Sequence, residues 1–257
     1  MFFIKKIIKE IIIFITKKIN IYPDNLYDQK KISYNSIDIY YSPSNDLVKR
    51  RWLKFQKDGK EQNTIDWINS FKDHEVFFDI GANIGVFAIY AGLKHKMKVY
   101  AFEAEVNSFI DLSKAIRLNK CRNITPVLIA LSDIKSTNYF NYKNEFSSGH
   151  SSHNFGDQVQ SNFSYLMCSD KIDNLISSKT ILEPNYIKID IDGNEKQVLQ
   201  GMENTLKLQS LKSVLIEVSN DDEIKYFHNY FEALDFKLTR SPTGNNKNYI
   251  YSKNLNS

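Results

Sequence analysis

The sequence predicts an α/β protein built on a doubly wound, mostly parallel sheet, with an antiparallel C-terminal hairpin and an N-terminal helical extension. Three observations lead there. From residue 75 onward, short apolar runs alternate with helical patterns, as strand–helix–strand crossovers require. Glycine is scarce at nine residues in 257, about half of the roughly 7% average usage. Four of the nine are Gly81, Gly85, Gly92 and Gly193, so backbone freedom is concentrated in a few places. A composition of 42% hydrophobic and 25% charged residues excludes a disordered chain. The length suits one large domain with an appendage.

Three segments follow in order: residues 1–20, residues 21–74 and residues 75–257. In the first, Ile4, Ile7, Ile8, Ile11, Ile12, Phe14, Ile15 and Ile19 share one broad helical face, Lys5, Lys6, Lys9, Glu10 and Lys17 lie opposite, and Lys18 is near the border. This is the pattern of an amphipathic helix lying on an anionic membrane surface, or of a helix packed on the domain or a partner chain. Its longest apolar run, Ile11 to Ile15, spans five residues, whereas crossing a membrane takes about 20. No apolar core leads to a small-residue cleavage site, so a signal peptide is not expected.

Tyr22-Pro23-Asp24 breaks that helix, and a polar stretch runs to about residue 35. Residues 37–41 read as a strand stopped by Ser42-Pro43, and residues 45–56 as a helix capped by Asn45 or Asp46. Residues 62–71 suggest a second helix. In the first of these helices Lys49, Arg50, Arg51, Lys54 and Lys57 form a basic cluster. Such a cluster is either a solvated face or an attraction for an anionic substrate.

The sheet begins with residues 76–80, an almost continuous apolar run expected of a strand covered on both faces. A helix over 84–96, a strand over 99–102, a helix over 106–119 and a strand over 124–131 follow. After a long segment come a strand over 185–191, a helix over 194–208, a strand over 214–218 and a helix over 222–234. Residues 236–239 and 249–251, joined through Ser241-Pro242-Thr243-Gly244, have the spacing of a hairpin.

Charge and cysteines narrow the function. The net charge of +4 lies wholly in residues 1–20, which hold five lysines and one acid; the other 237 residues carry 29 bases and 29 acids. A neutral body argues against a nucleic-acid partner. Cys121 and Cys168 make no metal or disulfide spacing and read as two buried thiols of a reducing, cytoplasmic compartment.

The residues that carry chemistry lie around Asp79-Ile80-Gly81-Ala82-Asn83-Ile84-Gly85, between the first core strand and its helix. Gly81 permits the tight turn and Gly85 a close start of the helix. The GxGxxG of a nicotinamide-binding loop is absent. An acid ends the strand instead, and a carboxylate there repels a pyrophosphate but suits an amino group. That contrast favours S-adenosyl-L-methionine over NAD. Glu103, 24 residues later at the end of the next strand, can accept both ribose hydroxyls of a nucleoside.

With these residues in place the chain resembles the FkbM family of S-adenosylmethionine-dependent methyltransferases. The blocks that carry the resemblance run in order from Phe78-Asp79-Ile80-Gly81-Ala82-Asn83-Ile84-Gly85 through Ala101-Phe102-Glu103-Ala104 to Ala130-Leu131-Ser132-Asp133. Then come Ile172-Asp173-Asn174-Leu175, Ile187-Lys188-Ile189-Asp190-Ile191-Asp192-Gly193-Asn194-Glu195, Val198-Leu199-Gln200-Gly201 and Leu215-Ile216-Glu217-Val218. Ala104 stands where the family commonly has Pro, and Asp192 where it commonly has Glu.

The resemblance implies a Rossmann-like class I methyltransferase sheet with S-adenosyl-L-methionine as cofactor. Gly81, Asn83 and Gly85 would line its methionine portion, with Asp79 near the amino group and Glu103 on the ribose. The adenine would lie against Ala104 and the turn at Leu131, with Ser132 or Asp133 as a partner of its amino group. Asp190 would end the fourth strand beside the transferable methyl. The implied acceptor is a small molecule or glycan, methylated on a sugar or related hydroxyl.

Methyl transfer to a hydroxyl needs a proton acceptor, and the candidates are Asp190, Asp192, Glu195, His150 and His153. The two histidines lie in a polar loop placed to cover the pocket. Asp190 and Asp192 with a histidine also have the donor chemistry of a divalent-metal site, though no metal is expected. Two competing classes are an inactive methyltransferase-like binding module at the membrane surface and an NAD-dependent oxidoreductase.

Overall fold

A computed structural model describes residues 28–57, 61–142, 153–156, 163–191, 193–218, 220–242 and 247–253. The predicted helix over residues 1–20, His150 and Asp192 lie outside the described residues. Among the described residues no helix is long and apolar enough to cross a membrane.

The centre is a seven-stranded sheet. Its strands are β3 (Val76–Ile80), β4 (Lys98–Glu103), β5 (Ile124–Leu128), β10 (Tyr186–Ile189), β11 (Ser213–Glu217), β12 (Phe236–Arg240) and β13 (Asn248–Lys253). They run in the order β12-β13-β11-β10-β3-β4-β5. The core pairs are parallel; β13 is wedged between β11 and β12 and antiparallel to both. The strand order reverses between β3 and β10, the place where an α/β sheet opens a ligand crevice.

Both faces of this sheet are covered, which is why its strands read as nearly unbroken apolar runs. Phe77 and Phe78 are each fully buried but belong to different cores. One core contains Phe77 and packs the sheet on α2 (Gln62–Asn69), α3 (Val86–Lys94) and α4 (Val106–Leu118). The other contains Phe78, Ile187, Ile189 and Ile216. It packs α6 (Glu195–Gln200), α7 (Glu203–Lys207) and α8 (Asp221–Glu232) on the opposite face.

The extension is part of this body. β1 (Lys30–Tyr34) and β2 (Ile37–Tyr41) form a hairpin whose two turn residues, Asn35 and Ser36, both have positive φ (47° and 63°). A two-residue turn of that kind matches the strand twist, and the second half of the expected polar stretch is a strand. Tyr40 N–H donates to Asn119 Oδ1 at 2.8 Å, and Asn119 Nδ2 returns a bond to Tyr40 O at 2.6 Å. The hairpin thereby holds α1 (Asp46–Lys57), where Trp52 stacks on Tyr41 and Phe55 lies against Tyr90. In α2, Trp67 donates to Ser213 Oγ at 2.8 Å from inside the core.

Three further corrections arise here. The long segment between the third and fourth strands is not only loop. It forms a second sheet, ordered β6-β9-β7-β8 from Ala130–Leu131, Phe163–Asp170, Ser136–Tyr142 and His153–Gly156. The single helix expected over 194–208 is two, broken at Gly201, where a Cβ would lie 2.1 Å from Ser132 O. Asp173 caps the second piece, accepting from the N–H groups of Asn204 and Thr205 at 2.9 Å each. Cys121 is buried as expected, but Cys168 is exposed, because it lies on the outward side of β9.

Truncating Trp67 removes an aromatic side chain from the junction of extension and sheet. We expect Trp67→Ala to lower the unfolding free energy by about 3–5 kcal/mol. Urea denaturation is the measurement, and an unchanged midpoint would show that the extension is not integrated with the sheet.

Candidate active site

The site grows out of three strand ends. Lys188 on β10 pairs in register with Asp79 on β3, so their side chains emerge on the same face of the sheet. Both are buried, at 1% and 0% exposure, with Lys188 Nζ 3.6 Å from Asp79 Oδ1. Lys188 Nζ also donates to Asp190 Oδ2 at 2.7 Å and lies 5.2 Å from the centre of the Phe87 ring. Burial pulls the lysine's pKa down, but the charges of Asp190 and Asp79 outweigh it and hold the ammonium protonated.

The two carboxylates respond differently. Burial pushes the Asp79 carboxyl up, and Lys188 only partly opposes that. At Asp190 burial also pushes upward, but the Lys188 charge and the hydrogen bonds from Glu217 and Lys188 win and keep it ionised. Glu217, at the end of β11, holds its proton, chiefly because its carboxyl donates to Asp190 and secondly because it is buried. Asp190 is therefore an anion accepting from an ammonium and a carboxylic acid, with its side chain 36% exposed toward a cavity.

That cavity, about 450 Å³, lies within the usual range of ligand pockets, roughly 300–1,000 Å³. One part is walled by Phe102, Glu103, Ala104, Leu131, Phe140 and Phe155, the other by α1 with Asp190 and Glu217. Gly81 lies between them at φ +73°, and a Cβ there would come 2.0 Å from Asp190 O. No other residue lets the ends of β3 and β10 approach this closely. Asn83, also left-handed at φ 50°, donates its N–H to Glu103 Oε2 at 2.6 Å. Glu105 N–H donates to Glu103 Oε1 at 2.7 Å. Burial pushes Glu103 up to about 7, opposed by these two backbone donors.

Of the residues expected from the sequence, Gly81, Asn83, Glu103, Ala104 and Asp190 come together on the cavity wall. Asp79 is not on the cavity wall; its carboxylate lies 3.6 Å from Lys188 Nζ, because the parallel register sets the two side by side. Gly85 caps α3 and abuts α4, where a Cβ would meet Leu112 Cδ1 at 2.4 Å. Ser132 and Asp133 form no part of the wall: Ser132 O abuts Gly201, and Ser132 Oγ donates to Asp133 Oδ1 at 3.0 Å. Glu195 is buried at the start of α6 and accepts from Gly193 N–H at 3.2 Å, a local turn bond. For His153 the backbone is described, as the first residue of β8 opposite Tyr142.

Sequence reasoning missed Lys188, Glu217 and the aromatic props of the Glu103 corner. Glu105 caps α4 by accepting from Asn107 and Ser108 N–H at 2.9 and 2.6 Å, and Tyr142 donates to the same carboxylate. Tyr165 donates to Ala104 O at 2.6 Å. A signal for Lys188 existed: a lysine inside the apolar run of a central strand must have a buried anion beside it.

Residues 79–250 match the family model described as the methyltransferase FkbM domain. Over 150 residues the chain is 28% identical to the hexuronic acid methyltransferase AglP of Haloferax volcanii, a match covering 57% of each protein. The chain thus spans little more than half of that curated relative. Among solved structures, the methyltransferase FkbM from Methylobacillus flagellatus KT has a TM-score of 0.53 at 19% identity. That likeness covers 71% of this chain and 44% of the other, and it concerns the fold.

The cofactor is S-adenosyl-L-methionine, and the residues present fit it. Glu103 offers a carboxylate for a diol at the end of β4. Beside it, Phe102, Ala104, Leu131, Phe140 and Phe155 supply an apolar slot for a flat base.

Two outcomes follow from this geometry. Lys188→Met leaves the buried Asp79 and the cavity-facing Asp190 without their cation and should destabilise the protein by about 3–5 kcal/mol. Wild-type stability in urea would remove Lys188 from that role. Hydroxyl donors also favour the ionised form of Glu103, so binding below its raised pKa releases a proton. Affinity for S-adenosylhomocysteine should fall about tenfold per pH unit below 7 and level off above it. Calorimetry across pH measures this, and Glu103→Gln should flatten the curve.

Proposed function

The chain belongs to the FkbM methyltransferase family, and on that premise we propose that it transfers a methyl group from S-adenosyl-L-methionine to a hydroxyl of a sugar or glycan. The observation that carries the reading is Asp190, an ionised carboxylate at the sheet's switch point, open to the cavity shared with the nucleoside corner. The relative named a hexuronic acid methyltransferase supports the acceptor class.

When bound, the cofactor supplies an electrophilic methyl on a sulfonium. The chain's own part is to align, to exclude water and to hold a proton acceptor. Gly81 brings the ends of β3 and β10 together, so Asp190 is fixed by backbone packing as well as by Lys188. Phe102 and Phe140, with the other apolar walls, keep water from the nucleoside side.

A hydroxyl becomes strongly acidic as its oxygen bonds to carbon, so a weak base suffices. Asp190 already accepts from Lys188 and Glu217, yet a carboxylate has about four lone-pair sites and retains room for the acceptor's proton. Glu217, protonated, orients it and keeps a second negative charge away from the reaction.

With labelled cofactor and a panel of hexoses, hexuronic acids and lipid-linked sugars, mass spectrometry should find a methyl ether on one of them. We expect Asp190→Asn to lower kcat by about 10²–10⁴-fold while S-adenosylhomocysteine still binds. An unchanged rate in that variant would take the proton-accepting role from Asp190. Transfer only to non-sugar acceptors would sink the acceptor class.

A further inference from the structure

α1 precedes the residues that match the family model, yet it forms part of the cavity wall. Leu47, Arg51, Lys54 and Phe55 recur at helical spacing and share the face turned to the cavity, whereas Lys49 and Arg50 are exposed to solvent. The orientation is set by Phe55, which is buried 5.0 Å from the Tyr34 ring and 5.3 Å from the Tyr90 ring.

Arg51 is unusual on this wall. Its Nε is buried and has no hydrogen-bond partner, and among the described residues Arg51 forms no ion pair. A guanidinium donor withdrawn from water and left unmade is costly to keep. The acids nearby are engaged elsewhere. Asp190 accepts from Lys188 at 2.7 Å, and the Arg51 charge acts on it only at longer range, without an ion pair. Glu61 accepts from Thr64 Oγ1 at 3.5 Å and from Asn248 Nδ2 at 3.3 Å. Glu217 keeps its proton. Lys54, one helical turn from Arg51 on the same face, adds a second, exposed cation.

We propose that Arg51 and Lys54 form an anion subsite of the acceptor pocket, so that the acceptor sugar carries a carboxylate or a phosphate. The inference rests on the sugar-acceptor reading above and adds the charge of that acceptor. Arg51's planar fork matches either anion in a two-point contact, and Lys54 supplies a point charge at the rim. The methyl acceptor would be clamped at its anionic end by α1 and presented at its hydroxyl to Asp190. The N-terminal extension thereby selects the substrate that the core domain methylates.

The test uses the full chain saturated with S-adenosylhomocysteine, and ligand-observed NMR titrations of four probes: glucuronic acid, glucose 6-phosphate, glucose and inorganic phosphate. We expect at least one charged sugar to bind about tenfold or more tightly than glucose. The arm that gains distinguishes carboxylate from phosphate. Arg51→Met should erase the preference while S-adenosylhomocysteine affinity and Tm stay at wild-type values. Arg51→Lys should keep part of it. If Arg51→Met folds poorly, Arg51→Lys and Lys54→Met carry the test through the same loss of preference. Glucose binding as tightly as both charged sugars would overturn the subsite and leave the sugar reading standing. Arg51-dependent binding of inorganic phosphate without binding of any sugar would do the reverse. Failure of every anion to bind would also overturn the subsite.

Discussion

Lys188 is a lysine at 1% exposure in the middle strand of a sheet covered on both faces. A charge there is tolerable only with an anion in contact, and removing one member of such a pair leaves the other stranded in a medium that solvates it poorly. Two carboxylates meet that need. Asp79 lies beside it in register on β3, and Asp190 lies two residues on along its own chain. The pair at Asp79 is wholly interior, whereas the pair at Asp190 ends at the cavity. A single ammonium therefore ties strand register to the ionisation of Asp190, a carboxylate on the cavity wall. Slipping β10 by one residue would turn Lys188 to the other face and lose its contact with Asp79.

The Glu103 corner depends on the same geometry at one remove. Gly81 can follow β3 only because nothing projects from it toward Asp190 O. The turn then carries Asn83 N–H to Glu103, and Glu103 is fixed before any ligand arrives by two backbone donors. The tyrosines of the second sheet hold the segment just beyond, Tyr165 through Ala104 O and Tyr142 through Glu105. Each polar group at this corner is oriented by backbone or by a buried hydroxyl rather than by a mobile side chain, which is what preorganised binding needs. The second sheet is thus more than a cover: it also props the strand end that presents Glu103.

Legibility in the sequence followed burial. β3 could be read at its true bounds because both its faces are covered, and Phe77 and Phe78 advertise that. β1 could not, since its lysines mask a single inward residue, Ile32, and its turn lacks glycine. The strands of the second sheet are rich in Tyr, Asn and Ser, so hydrophobic periodicity says little about them. The expected long helix breaks at Met202, beside Gly201, whose lack of a side chain admits Ser132 O, a tertiary contact that no local pattern encodes. The site was legible as a set of strand ends, but the partners were not. The pairing of Asp79 with Lys188 has no local signal, because register across parallel strands links residues over a hundred positions apart. Several motif residues that mark the family, among them Asp173 and Gly201, turn out to hold α7 and its turn in place.

Net charge illustrates the same limit from the other side. Beyond residues 1–20 the chain carries equal numbers of acids and bases, which on its face argues for indifference to charged ligands. Placement overrides that balance. Within the cavity the acids are committed: Asp190 to Lys188, Glu61 to Thr64 and Asn248, and Glu103 to backbone N–H groups. Glu217 is neutral. Arg51 has no hydrogen bond at Nε and no ion pair among the described residues, and its charge reaches Asp190 only at longer range. A surface can therefore be neutral in sum while one wall of its pocket is cationic in effect, because a paired charge projects little field and an unpaired one projects much. What a pocket attracts is set by the charges its own fold leaves unanswered.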